Sequence, residues 1–173
     1  MDDAYLSGER AGKPGRGSEN KAPFVAAVSL NGGGHPVYVK MAPLPGFTRK
    51  AVAAWAEADL APGCVVHSDG LSCFAGVADA GCEHRPTVAG GRKPRDLPEF
   101  KWVNTILGNL KTSLGGTHHA FKFAKYGTRY LAAFAYRFNR RFRLDRLPAR
   151  LLAAAVCAGP RPEQWLRSAE ASC

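Results

Sequence analysis

Cys64-Val65-Val66-His67-Ser68-Asp69-Gly70 is a short apolar run that stops on an acid and a glycine. A run of this length, rich in β-branched residues and closed by Asp-Gly, predicts a strand over 64–68 that ends at Asp69. Upstream, Thr48 caps a predicted helix running to about Leu60, with Val52, Trp55 and Ala56 on its apolar side and Pro62-Gly63 closing it. Before that helix, Phe24 to Leu30 and Val37 to Met41 flank Asn31-Gly32-Gly33-Gly34, which predicts a hairpin. Asp2 to Leu6 reads as a further short strand, separated from the hairpin by a Gly-, Ser- and basic-rich loop over Ser7 to Lys21. Downstream, a short helix near Leu71 to Ala80 leads to a weak strand around His84 to Val88. A basic loop, Gly90 to Arg95, then precedes helices over Phe100 to Leu114, Thr117 to about Phe142 and Pro148 to Cys157. Three strands, a helix, a strand, a helix, a strand and then helices is an α/β order: a mixed sheet, in which an antiparallel three-strand meander is followed by parallel strands, flanked by helices. The last dozen residues read as a loose tail.

The chain has 173 residues, 46% of them hydrophobic and 22% charged, which suits one globular domain rather than a disordered segment. Its formal charge of +10 is unevenly placed. Residues 101–150 carry 11 of the 24 Lys and Arg and a single acid, Asp145, so the remainder balances 13 bases against 13 acids. No apolar run approaches the roughly 20 residues that span a bilayer. The N-terminus lacks the basic head and apolar stretch of a secretory signal. Five cysteines without a CxxC pair argue against a disulfide framework and a zinc ribbon, and suit a reducing cytosol.

On a helical projection of 117–142, Lys122, Lys125, Arg129, Tyr136, Arg140 and Arg143 gather in an arc of about 60°. Phe121, Ala124, Leu131, Phe134, Ala135, Phe138 and Phe142 lie opposite. With no acid between Lys101 and Arg143 to relieve like-charge crowding, a polyanion, most commonly a phosphate backbone, is the expected partner of this stripe. A merely solvated face is the alternative. Asp69 sits at the carboxyl end of a strand, where α/β proteins gather catalytic groups, with His67 two residues before it. Taken alone, Asp-Gly is more often a turn. Asn104, Gly108 and Lys111 share one face of the helix over 100–114, and Asn104 reads equally as a capping amide. Asp2 and Asp3 supply carboxylates from the first strand. An acid on strand one, an acid after a later strand and a polar group on a following helix is the layout of two-metal phosphoryl-transfer sites.

At this point the sequence resembles a known family. Asp2-Asp3-Ala4-Tyr5-Leu6-Ser7-Gly8-Glu9 resembles the D-E-x-Y-x-G-G opening of the catalytic domain of ISXO-type insertion-sequence transposases. His67-Ser68-Asp69-Gly70 resembles their H-[ST]-D-G. Asn104 to Lys111, with Gly116-Thr117-His118-His119 behind it, resembles the segment bearing their third site residue and a downstream Lys, and Tyr136-Arg137-Phe138-Asn139-Arg140-Arg141 resembles their closing Y-R-F-N-R-R. The resemblance implies an RNase H-like fold of the DDE superfamily and a polynucleotidyl transferase. Such an enzyme cuts and joins double-stranded DNA at insertion-sequence ends with Mg²⁺ or Mn²⁺, two ions in all. Carried over, Asp2, Asp69 and Asn104 are the metal ligands, and Lys111 contacts phosphate near the scissile bond. The cationic stripe (Lys122, Lys125, Arg129, Arg140, Arg143) then holds DNA without reading its sequence. A register keyed on Asn104-Thr105-Ile106 would instead place Leu107 at the acid position, where no metal could be held. Asn in place of the family's common Glu leaves two formal charges rather than three among these ligands, and so implies weaker metal binding. Ser7 stands where the family has Gly, and His118 where it has Tyr.

The resemblance also assigns 1–147 to the catalytic domain and 148–173 to a terminal helix and tail. The family's upstream zinc-ribbon and DNA-recognition region is not in this sequence, so a shortened copy is expected. Two rivals follow: a DNA-binding remnant without turnover, and a nuclease of the same fold without strand transfer. An active form is expected to be a homo-oligomer, in the cytoplasm at the nucleoid.

Overall fold

The computed structural model describes residues 1–7, 21–88, 90–92, 96–118 and 122–168. Most of the Ser7–Lys21 loop, part of the Gly90–Arg95 loop and Phe121 fall outside them. β1 (Asp2–Ser7), β2 (Lys21–Leu30) and β3 (Pro36–Pro43) form an antiparallel sheet in the order β1-β2-β3. Asp2 pairs with Ala26, and Ala26 with Met41. The strands alternate as the pleat requires. Ala4, Leu6, Phe24 and Ala26 face one side, under α3 (Lys101–Thr117) and α4 (Phe123–Phe138). Met1 and Val25 face the other, with Val52, Trp55 and Ala56 of α1 (Arg49–Asp59). The meander is therefore a central layer with a hydrophobic core on each face.

The Thr48 cap is as expected, its Oγ1 accepting from the Ala51 N–H at 3.2 Å. β4 (Val65–Ser68) follows α1, then a 3₁₀ turn (Ser72–Ala75), α2 (Gly76–Asp79) and β5 (Glu83–Pro86). β4 and β5 pair in parallel, Val65 opposite Glu83 and Ser68 opposite Pro86. They form a second sheet of two strands, so the single mixed sheet expected from the sequence is replaced by two. The Met1 nitrogen donates to the His67 carbonyl at 2.5 Å, and Val25 of the first sheet and Val66 of the second share one hydrophobic core.

Gly76 is required where α2 meets α1. A Cβ there would lie 2.4 Å from the Arg49 carbonyl oxygen and 3.0 Å from the Ala53 nitrogen, both backbone atoms that cannot step aside. Gly76→Ala is therefore expected to destabilise the chain by about 2 kcal/mol, measured as a lower urea midpoint at unchanged slope.

The helical end departs most from expectation. α3 runs three residues further than predicted, and the next helix is shorter, Phe123–Phe138 instead of about 117–142. It is also kinked, with φ −129° and ψ 20° at Tyr126. The kink lets the Phe123 ring enter the core against Phe24, at 5.8 Å between centroids, and pass 3.2 Å from where a Cβ of Gly127 would stand. α5 (Leu147–Cys157) matches its expected place, and the supposed tail holds one more short helix, α6 (Glu163–Arg167). No helix among the described residues is long and apolar enough to cross a membrane.

Candidate metal centre and cationic surface

The first turn of β1 and the carboxyl end of β4 meet through the Met1–His67 bond, and three carboxylates converge there. One oxygen each of Asp2, Asp3 and Asp69 lie within 4.8 Å of one another. Each is placed by local backbone chemistry. Asp2 shares the pleat face of Ala4 and Leu6 and so points to the α3 side, while its Oδ1 accepts from the Asp3 N–H at 2.9 Å. Asp69 Oδ1 accepts from the Leu71 N–H at 3.0 Å, an Asx turn that ties the carboxylate to its own loop. Gly70 makes that turn possible: its φ is +83°, and a Cβ would press to 3.0 Å on Val88 Cγ2. Behind the loop, fully buried Ser68 meets His84 Nε2 through its Oγ at 2.8 Å, tying β4 to β5. Burial lowers the His84 pKa.

The site resists ionisation. Burial, then the charges of Asp3 and Asp69, push the Asp2 carboxyl up to about 6. Three acids this close, all oxygen donors, fit a hard divalent cation such as Mg²⁺ or Mn²⁺, which would relieve that crowding. Sequence reasoning nominated Asp2 and Asp69 as ligands and left Asp3 as a neighbour. Strand alternation sets Asp2 and Asp3 on opposite faces of β1, yet one oxygen of each reaches the group with Asp69. The adjacent pair Asp2-Asp3 was the available signal.

Three of the remaining predicted site residues lie on α3. Val103, Ile106, Leu107, Leu110 and Leu114 bury the core side of α3, leaving Asn104, Gly108 and Lys111 on its exposed side. Gly108 has open space where a Cβ would be, as its spacing suggested. His67 is exposed and outside the three-carboxylate group.

The cationic stripe is interrupted twice. Lys122 and Lys125 precede the Tyr126 kink, and Arg140 and Arg143 follow the end of α4. Phe142, placed on the apolar side by the projection of a straight helix, is 83% exposed, because the helix stops four residues earlier. The segment Tyr136–Arg141 is in large part a clasp. The Asn139 amide accepts from Val39 N at 2.7 Å and donates to Val39 O at 3.0 Å, closing the free edge of β3 as another strand would. Arg141 donates to the Pro36 and Val37 carbonyls, and its guanidinium lies 3.9 Å from the Phe138 ring centroid. Arg140 stacks on Tyr136 at 3.8 Å. Arg129 is engaged by the C-terminal segment: it donates to the Leu166 carbonyl at 2.5 Å and lies 5.3 Å from the Trp165 ring centroid.

Residues 1–139 match the ISXO2-like transposase domain. The chain belongs to that family. Membership supports transposase function in general and DNA as the partner, as the motif order implied. No curated protein matches the chain. The ISXO2-like match contains the three clustered acids together with Asn104, Lys111, Lys122, Lys125 and Arg129, and ends at the Asn139 clasp. Arg140, Arg143, α5 and α6 lie beyond it.

Proposed function

We propose that this ISXO2-like domain is the metal-dependent catalytic domain of an insertion-sequence transposase, an RNase H-like polynucleotidyl transferase that cuts and joins DNA strands. The observation that carries the reading is the convergence of Asp2, Asp3 and Asp69 at the junction of β1 and β4. Asp2 and Asp69, with Asp3 between them, would hold Mg²⁺ or Mn²⁺. Such ions, when bound, polarise the scissile phosphate and lower the pKa of an attacking water or 3′-hydroxyl. The chain's own residues do the positioning. The Asx turn and Gly70 fix Asp69, the pleat fixes Asp2, and Lys111 with the α4 cations offers phosphate contacts that hold duplex DNA across the face. Asn104 would add a neutral oxygen from α3.

The test is nicking and strand joining of insertion-end DNA by the full chain with Mg²⁺ or Mn²⁺. Activity that Asp69→Ala abolishes, with DNA binding retained, supports the reading, and activity surviving in that variant overturns it. A DNA-binding form without turnover is the second reading, favoured by Asn104 standing where the resembled family commonly has Glu. DNA binding with no nicking under either metal would establish it.

The contacts of Arg129 with α6 also give a prediction for binding. Deleting residues 159–173 removes these C-terminal contacts of the guanidinium, so DNA affinity is expected to rise. The slope of log K against log salt should become steeper by about one, read by fluorescence anisotropy.

A further inference from the structure

A cleft of about 470 Å³ opens between the edge of β3, the turn after α4 and the first turn of α5. We propose that it binds an unpaired nucleotide of a DNA strand, an inference that rests on the DNA reading above and adds a site to it. Arg140, Arg143 and Arg150 line the cleft, with no acid among its lining residues. Three guanidiniums around one concavity suit phosphate oxygens. Two aromatic residues also line it, Tyr38 on β3 at 58% exposed and Phe142 in the turn at 83% exposed. Neither ring serves the core, and the Arg141 guanidinium, 4.3 Å from the Phe142 centroid, orients that ring.

Arg140 is held in place before any ligand arrives. It stacks on Tyr136 and donates to the Tyr136 carbonyl at 3.3 Å, while its Nε is buried without an acceptor. A buried N–H left unpaired costs stability, so its retention calls for an explanation, which a role in binding supplies. The neighbouring clasp residues, Asn139 and Arg141, are committed to β3 backbone, which leaves Arg140 and Arg143 as the cations of this turn that face the cleft.

The combination selects an unpaired nucleotide over intact duplex. Duplex phosphates need only an exposed row of cations, and paired bases keep their faces stacked within the helix. A concave cleft of this size with exposed rings in its lining fits a base freed from its stack, with its phosphates on the arginines. Asp2 pairs with Ala26 and Ala26 with Met41, three residues after Tyr38, so two strand spacings of about 4.8 Å and three rises of about 3.4 Å separate the backbones of Asp2 and Tyr38 by roughly 14 Å, a span of some four nucleotides.

The test uses the full chain and fluorescence anisotropy with three probes. These are a blunt duplex, the same duplex with a four-nucleotide single-stranded overhang, and that overhang made abasic. The overhang is expected to bind at least about 5-fold tighter than the blunt duplex, with the abasic overhang losing most of the gain. Phe142→Ala, a change at an exposed ring, should bring the overhang down to the blunt-duplex affinity. Arg143→Ala with Arg150→Ala should weaken the overhang and abasic probes together. An overhang no tighter than the blunt duplex, or a preference that survives in Phe142→Ala, overturns the inference while leaving the DNA reading in place. Failure of all three probes to bind overturns both.

Discussion

Asp69→Asn is expected to end metal-dependent strand cleavage and joining and, at the same time, to make the metal-free chain more stable. The substitution keeps the fold of the loop, because an asparagine Oδ1 can accept the Leu71 N–H as the aspartate does at 3.0 Å. What it removes is a charge. Asp69 is one of the two acids whose proximity, after burial, raises the Asp2 pKa, so neutralising it relieves repulsion that the apo fold must sustain. The gain at pH 7 should be on the order of 1 kcal/mol, or a rise in Tm of about 2–4 °C for a chain of this size. Wild type should gain further stability when millimolar Mn²⁺ is added, since the cation binds the folded cluster and not the open chain, and Asp69→Asn should gain little. Catalysis should fall by on the order of 1,000-fold or more, about 4 kcal/mol of transition-state stabilisation. A variant that is destabilised, or that keeps both its Mn²⁺ response and its activity, would show that the three carboxylates are a surface cluster and no metal centre.

What was legible in the sequence is what short-range chemistry decides. Thr48 capping, the Val52-Trp55-Ala56 stripe and the hairpin around Asn31–Gly34 each depend on neighbours within a turn or a pleat, and each stands in the structure. Pairing between distant strands was not legible. Nothing local to Val65–Ser68 says that it pairs with Glu83–Pro86 or that Met1 bonds the His67 carbonyl. The projection of α4 failed for a related reason. It assumes a straight helix, and one kink at Tyr126 and a stop at Phe138 move Phe142 from core to solvent. Asn139 shows the same limit in a motif. The segment Tyr136–Arg141 is recognisable as a string, but the string does not reveal that its amide pairs with Val39, a hundred residues away. Of the candidate site, Asp2 and Asp69 were readable through the motif order that carries the family resemblance, since Asp-Gly alone is more often a turn. That Asp3 reaches the same point, against the alternation of β1, is a property of the fold.

Removing Asp2 from the titration gives the second large effect. In the fold its carboxyl is raised to about 6 from an ordinary 3.8. Below about pH 3.8 the group is protonated in both folded and unfolded chains and contributes nothing to the balance. Between about 3.8 and 6 the unfolded chain ionises while the folded chain keeps its proton, so stability falls as pH rises through this window. Above about 6 both forms are ionised and the full cost is present. At about 1.36 kcal/mol per pH unit, the gap amounts to on the order of 3 kcal/mol. His84 works in the opposite direction. Its pKa is lowered by burial, so it favours the fold increasingly as pH rises toward 6.5 and would mask part of the decline. The clean measurement is therefore a difference: urea unfolding of wild type and Asp2→Asn from pH 4 to 7.5 in EDTA. The variant should gain on the wild type steadily through pH 4–6 and then hold a constant advantage. Saturating Mn²⁺ at pH 7.5 should close much of that gap, because the cation stabilises three ionised acids that the apo chain can only crowd together. A difference that stays flat with pH would mean that Asp2 is solvated like a surface carboxylate, and that the junction of β1 and β4 does not concentrate charge.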